Sequence, residues 1–279
     1  MNIAWLTDVH LNFLKVEARK KFYQQVIETG ADQILITGDI AEAKDVCEIL
    51  QEFSIYTNKL IYFVLGNHDY YFSSVNNVRE KVRTLCAHNK NLIWLGEPKT
   101  LALADGIVLV GHDGWADARY GDFDRSLVNL NDSRLIAELY QAFLLNKSAL
   151  KREMQKLTDT DAAVLHETLC DAIDTDIKKV IIATHIPPFP ESSWHKDKPS
   201  DENWLPYFAS KATGDVIMSF VKKDADIQFL VLCGHTHTAI SVALSDNLMV
   251  KSGKAEYYKP EIQELILFKD VGLTPNNSF

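Results

Sequence analysis

Five apolar runs in this chain end in side chains that bind cations: Asp8 and His10 in LTDVH, Asp39 in ITGD, Asn67 and His68 in LGNHD, His185 in IIATH, and His235 with His237 in LCGHTH. Carboxylate oxygen, amide oxygen and imidazole nitrogen together suit hard or borderline divalent ions. No cysteine is among the candidate ligands, which argues against a soft-metal site. The seven candidates Asp8, His10, Asp39, Asn67, His185, His235 and His237 exceed what one tetrahedral ion takes up. Two ions roughly 3.5 to 4 Å apart, sharing a carboxylate, account for the surplus, and such a pair clamps a phosphoryl group well.

Residues this far apart need a fold that gathers them. NIAWLTD reads as a buried strand, followed by a helical pattern with Phe22, Tyr23, Val26 and Ile27 on one face and Gly30 in the C-cap position. QILITGD repeats the strand, a helix follows to about Ser54, and KLIYFVLGN forms a third strand ending in the asparagine and histidine. Strands alternating with helices predict parallel pairing, and in such sheets sites form beyond the carboxyl ends of the strands. NLIWL and GIVLVG are weaker strands, residues 112–132 are turn-rich, and residues 133–176 read as a helical insertion in which Met154, Leu157, Leu165, Leu169 and Ile173 recur at near-helical spacing. KKVIIATH and QFLVLCGHTH resume the strand pattern. AISVAL, NLMVKS and EIQELILF follow as strands expected to pair antiparallel. With no internal repeat and no Pro/Gly/Ser linker, residues 1–279 are expected to form a single α/β domain interrupted by the insertion.

The chain's 279 residues, 47% hydrophobic and 24% charged, exclude disorder, collagen and coiled coil as descriptions of the whole. A net charge of −9 with no block of lysine and arginine disfavours extended nucleic acid as a partner. Cys47, Cys86, Cys170 and Cys233 show no CxxC spacing and read as buried free thiols, which fits a reducing compartment. The N-terminus has no basic region ahead of an apolar stretch, and no run approaches the ~18 apolar residues a membrane span requires. The expectation is a cytoplasmic protein with no membrane partner.

DVH, GDIAE, GNHD, a lone THIPP and GHTH, in that order over residues 8–237, resemble the motifs of calcineurin-like metallophosphoesterases. The resemblance implies a two-sheet sandwich flanked by helices, with mixed parallel and antiparallel strands. It also implies a dinuclear centre of manganese, iron or zinc that hydrolyses phosphomonoesters or phosphodiesters through an activated hydroxide. Carried over by residue, it gives one ion to Asp8, His10 and His237, the other to Asn67, His185 and His235, and makes Asp39 the bridge. His68 resembles the family's catalytic histidine, which stabilises the transition state or protonates the leaving oxygen, with Asp69 as the carboxylate orienting it. Gly38, Gly66 and Gly234 are expected to let the backbone turn at the strand ends, where any side chain would crowd the site.

Specificity lies outside these motifs. Phosphoprotein phosphatases of the family read GDxVDRG and GNHE where this chain has GDIAEAK and GNHD, which argues against a phosphoprotein substrate. Tyr70, Tyr71 and Phe72, together with Trp194, His195, Trp204, Tyr207 and Phe208, could wall a pocket for a nucleobase or aryl group. His112, with Asp113 and Trp115, also ends a strand and is a candidate for the pocket lining, as are Tyr70 and Trp194. The expected substrate is a small phosphoester, such as a nucleotide or cyclic nucleotide. The alternatives are a nuclease-type phosphodiesterase and a non-catalytic scaffold on the same fold that binds a protein partner.

Overall fold

The computed structural model describes residues 1–174 and 176–268. From the N-terminus, β1 (Asn2–Leu6), α1 (Val16–Glu28), β2 (Gln33–Thr37), α2 (Val46–Thr57), β3 (Leu60–Val64), α3 (Val75–His88) and β4 (Leu92–Trp94) alternate as the sequence predicts. Next come β5 (Leu101–Ala104) and β6 (Ile107–Gly111), then the helices α4 (Asp132–Leu135), α5 (Ala137–Leu145) and α6 (Lys147–Ala172). The chain continues through β7 (Lys179–Ala183), the two-residue strands β8 (Trp194–His195) and β9 (Lys198–Pro199), α7 (Leu205–Phe208) and α8 (Lys211–Lys223). It ends in β10 (Gln228–Cys233), β11 (Ile240–Ser245), β12 (Leu248–Ser252) and β13 (Ile262–Leu267).

Two mixed sheets lie face to face, in the orders β13-β1-β2-β3-β4 and β11-β12-β10-β7-β6-β5. The layering follows from the period of two along each strand. Ile3, Trp5, Leu35, Tyr62 and Val64 of the first sheet point inward to meet Leu109, Ile181, Leu230 and Leu232 of the second. Their neighbours Ala4, Leu6, Ile34, Ile36 and Phe63 point outward, onto Phe22, Tyr23, Leu50, Phe53 and Val78 of the helices. Outside the second sheet, Val110, Val180, Ile182 and Val231 meet Leu165 and Leu169 of α6 and Ile217 and Phe220 of α8. The central strands are covered on both faces, which is why they read as unbroken apolar runs.

Three expectations change. The last three strands do not form one antiparallel set: β11 and β12 do pair that way, but β12 runs parallel to β10, and β13 crosses over to pair antiparallel with β1. β5 pairs antiparallel with β6 and was not legible in its polar-flanked LALA. Of the four thiols, all free, only Cys233 is buried; Cys170 is exposed. The insertion is helical as expected. The later part of its long helix α6 lies on the outside of the second sheet, Thr158 and Asp161 in its middle bond to Trp115 and Gly114 just beyond β6, and Asp132 at the start of α4 reaches the crevice.

Candidate metal centre

The carboxyl ends of β1, β2, β3, β7 and β10 meet at one edge of the sandwich, and the backbone ties their loops together. The N–H groups of Asp8 and His10 donate to the carbonyls of Gly38 and Asp39, at 3.0 Å each, and Gly234 N–H donates to His185 O at 2.9 Å. Asp8, His10, Asp39, His235 and His237 all hold left-handed backbone angles, with φ of 47°, 40°, 53°, 68° and 57°. Such angles cost a non-glycine residue about 1–3 kcal/mol each and persist where the surroundings enforce them. The turns therefore fall on the ligands themselves. Of the three glycines, only Gly38 has a positive φ, at 89°, while Gly66 and Gly234 serve by leaving space. A Cβ on Gly66 would lie 2.2 Å from Asp39 Oδ1, and one on Gly234 would lie 2.1 Å from Asp8 Oδ2.

Ligand atoms of Asp8, His10, Asp39 and His237 lie within 4.8 Å of one another. His237 Nε2 stands 3.3 Å from Asp8 Oδ1, and His10 Nε2 stands 3.7 Å from Asp39 Oδ2 and 3.4 Å from His237 Nε2. On the other side of Asp39, His185 Nε2 is 3.4 Å from Oδ1, so this carboxylate faces both groups. Asn67 Oδ1 completes the second group, 3.0 Å from both His185 Nε2 and His235 Nδ1.

The tautomers show what this second group suits. His185 Nδ1 donates to Thr37 O at 2.9 Å, and His235 Nε2 donates to Tyr207 O at 3.0 Å. In the neutral rings, the opposite nitrogens then carry lone pairs, and both point at an amide oxygen that is itself an acceptor. Three acceptors converging with no proton between them are the donor set of a cation, with each imidazole held by a backbone carbonyl behind it.

The charges agree. Burial works to raise Asp8, but the hydrogen bond and positive field of His237 outweigh it and hold the carboxyl at about 2. Asp39 is likewise well below the usual carboxylate range: burial opposes its ionisation, while His185 and His68 favour it. Burial pulls His10 down to about 4 and His235 to about 3, leaving both neutral and ready to ligate. Burial also opposes charge on His185, but Asp39 overrides it and lifts the imidazole to about 10, a proton that a cation would displace.

His68 sits beside both groups, with its backbone N–H donating to Asp39 Oδ1 at 2.9 Å and its Nε2 4.0 Å from Asp39 Oδ2. Its ring stacks on Tyr71 at 4.2 Å between centroids. Asp69 does not orient it. One Asp69 oxygen accepts the N–H groups of Ile40 and Ala41, at 3.0 and 2.8 Å, and the other accepts that of Gly66 at 2.8 Å; His68 Nδ1 has no partner. Burial, then the charge of Asp39, push the Asp69 carboxyl up to about 8 against these three donors. Asp69 is a bracket between the second and third ligand loops. Asp69→Ala is expected to strand three buried N–H groups at about 1–3 kcal/mol each and to lower the melting temperature by ten degrees or more. An unchanged melting curve with reduced kcat would return Asp69 to the role the motif suggests.

The sequence model for the calcineurin-like phosphoesterase family matches residues 1–239. The chain belongs to that family. Among solved structures, it is similar to a phosphopantetheinyl hydrolase from Mycobacterium tuberculosis, with a TM-score of 0.63 at 13% identity over 91% of this chain and 89% of that one. It is also similar to a dimetal phosphatase from Danio rerio, with a TM-score of 0.51 at 11% identity over 90% and 86%. At these identities the likeness is one of fold. No curated protein matches the chain by sequence. Among the described residues, no helix is long and apolar enough to cross a membrane.

In this family member Asp39, Asn67, His68, His235 and His237 line a crevice of about 450 Å3, walled by Tyr71, Asp132, His195, Lys196, Trp204 and Tyr257. Phe72, Asp113, Trp115 and Tyr207 do not line the crevice, and three further residues expected in the wall are elsewhere. His112 is fully buried, with neither ring nitrogen bonded. Tyr70 is turned inward and donates to Asp113 Oδ2 at 2.6 Å, so Tyr71 takes its place in the wall. Trp194 donates its indole N–H to Glu191 O, while the next residues of its hairpin, His195 and Lys196, face the crevice. Asp132 and Tyr257 are the residues the sequence did not single out. Neither lies in a motif: Asp132 comes from the middle of the chain and Tyr257 from between β12 and β13.

Proposed function

We propose that this chain hydrolyses small phosphoesters with two divalent cations held at the crevice floor. The observation that carries this reading is the convergence of Asp8, His10, Asp39 and His237 on one side, and Asn67, His185 and His235 on the other, with His68 beside Asp39. When bound, such ions neutralise charge on the phosphoryl oxygens and acidify the attacking water. The protein's part is to hold this arrangement. Asp8 and Asp39 stay ionised, His10 and His235 stay neutral, and His68 stands where it can give a proton to the departing oxygen. The oxygen- and nitrogen-rich set suits manganese, iron or zinc.

The crevice volume falls within the range of about 300–1,000 Å3 usual for small-molecule sites. Tyr257 lies on one side, with its ring centroid 5.3 Å from that of His237; on the other, His195 and Trp204 pack at 4.5 Å. The aromatic rings of Tyr257, His195 and Trp204 in the crevice wall favour a leaving group with a planar ring, such as a nucleotide, and Lys196 supplies positive charge. The overall charge of −9 favours such a substrate over extended nucleic acid, and the free thiols accord with a cytoplasmic setting.

Hydrolysis of p-nitrophenyl phosphate and bis-p-nitrophenyl phosphate, measured alongside metal content, tests the reading. At least one ester should turn over, the activity should vanish with a chelator, and added Mn2+ should restore it. Protein that carries two ions yet leaves both esters and a panel of nucleotides intact would be a scaffold, and the proposal would fall.

A further inference from the structure

The helical insertion touches the site at one residue. Asp132, at the start of α4, accepts from Asn67 Nδ2 at 2.9 Å and from the Tyr71 hydroxyl at 2.7 Å, both through Oδ1. From there the insertion runs beside the loop that carries Asn67 and His68. Phe72 N–H donates to Leu135 O at 2.7 Å, Ser73 bridges Ile136, Ala137 N–H donates to Ser73 O at 2.9 Å, and the Glu138 carboxylate accepts Val75 N–H at 3.0 and 3.1 Å. Phe72, where this seam begins, holds a φ of 66°, a left-handed angle that needs such anchoring.

A side-chain amide has two ends of similar shape and opposite character. Only its oxygen can join His185 and His235 around a cation; rotated by half a turn, it would aim an NH2 group into the donor set. Asp132 Oδ1 accepts from the Asn67 nitrogen, and the Tyr71 hydroxyl, which spends its proton on the same oxygen, accepts from that nitrogen at 3.2 Å, so Asp132 selects the rotamer that turns the Asn67 nitrogen outward. The same oxygen fixes the Tyr71 hydroxyl, and the Tyr71 ring lies on the His68 imidazole. We infer that Asp132 is a positioning residue, setting the Asn67 amide for one of the two ions and, through Tyr71, the ring of His68. This rests on the dinuclear reading above and extends it, because it makes the insertion part of the site.

Titration of ion-free protein with Mn2+, followed by calorimetry, tests the inference without recourse to turnover. Asp132→Ala should remain folded by circular dichroism and lose about 10- to 100-fold in affinity for one ion, the loss typical of removing an outer partner, while the other ion binds as before. Asp132→Asn still offers an acceptor oxygen to the Asn67 nitrogen and should recover most of that affinity. If Asp132→Ala is too poorly folded to measure, Tyr71→Phe keeps the ring over His68 and removes the hydroxyl that donates to Asp132 and accepts from Asn67 Nδ2 at 3.2 Å; a several-fold loss confined to one ion is then expected. Asp132→Ala or Tyr71→Phe binding both ions like the wild type, or weakened equally at both, would overturn the positioning role and leave the dinuclear reading intact. A wild-type protein that takes up no pair of ions would overturn that reading, and this inference with it.

Discussion

His68→Ala is expected to lose about 10²- to 10⁴-fold in kcat while still taking up both cations, because the residue stands beside the ligand groups without belonging to either. Its Nε2 is 4.0 Å from Asp39 Oδ2, its ring lies on Tyr71, and its side chain reaches the crevice. What ties it to the floor is mainly its backbone N–H on Asp39, which alanine retains. Metal content measured with single-turnover kinetics separates the two effects. A variant at full kcat with both ions bound would remove His68 from proton transfer, and one that lost its ions would make it a ligand. KM should move far less than kcat, since the substrate would still bind through the floor and walls.

Asp39→Asn should act on the ions themselves. Both oxygens of Asp39 are engaged, one facing His185 and the other facing His10, and its charge is the chief reason the His185 imidazole is lifted to about 10 despite burial. An asparagine keeps the shape but presents one oxygen and an NH2 group, so one side of the floor would meet donors where it needs acceptors. Outer partners of metal ligands cost about 10- to 100-fold in affinity or activity when removed; a ligand shared by two ions should cost more than about 100-fold in kcat/KM and leave at most one ion bound. Elemental analysis after dialysis, compared with the wild type, gives the count. Two ions retained in Asp39→Asn would mean that Asp39 does not bridge them.

The convergence of the candidate ligands was legible because each follows a buried strand, and in such sheets chain order predicts where strand ends meet. The layering was legible for the same reason: period-two runs such as NIAWL hold one face for the helices and one for the partner sheet. The walls were not legible. Tyr70 and Tyr71 are adjacent on a short helical turn, and only the position of Asp113 and Asp132 decides which of them turns inward. Trp194 and His195 alternate on a two-residue strand whose facing cannot be read from so short a run. Asp69 looked like a partner for His68 because it follows it, yet the backbone of the loop after β2 and of its own loop claims both its oxygens. Asp132 closes the turn-rich stretch with no motif around it, and its meaning depends on a contact 65 residues away along the chain.

β11, β12 and β13 lie beyond the residues that the family match covers, yet they complete the two sheets. β12 stands between β10 and β11, β13 covers the outer edge of β1, and the stretch between them brings Tyr257 over the ligand histidines. A fragment cut where the recognisable motifs stop would keep every candidate ligand and still present two raw strand edges to its neighbours, one of them on the strand that leads to Asp8 and His10. The catalytic vocabulary of the chain and the boundary of its smallest self-sufficient unit are thus different lengths. An excised piece would be expected to self-associate before it could be judged for chemistry.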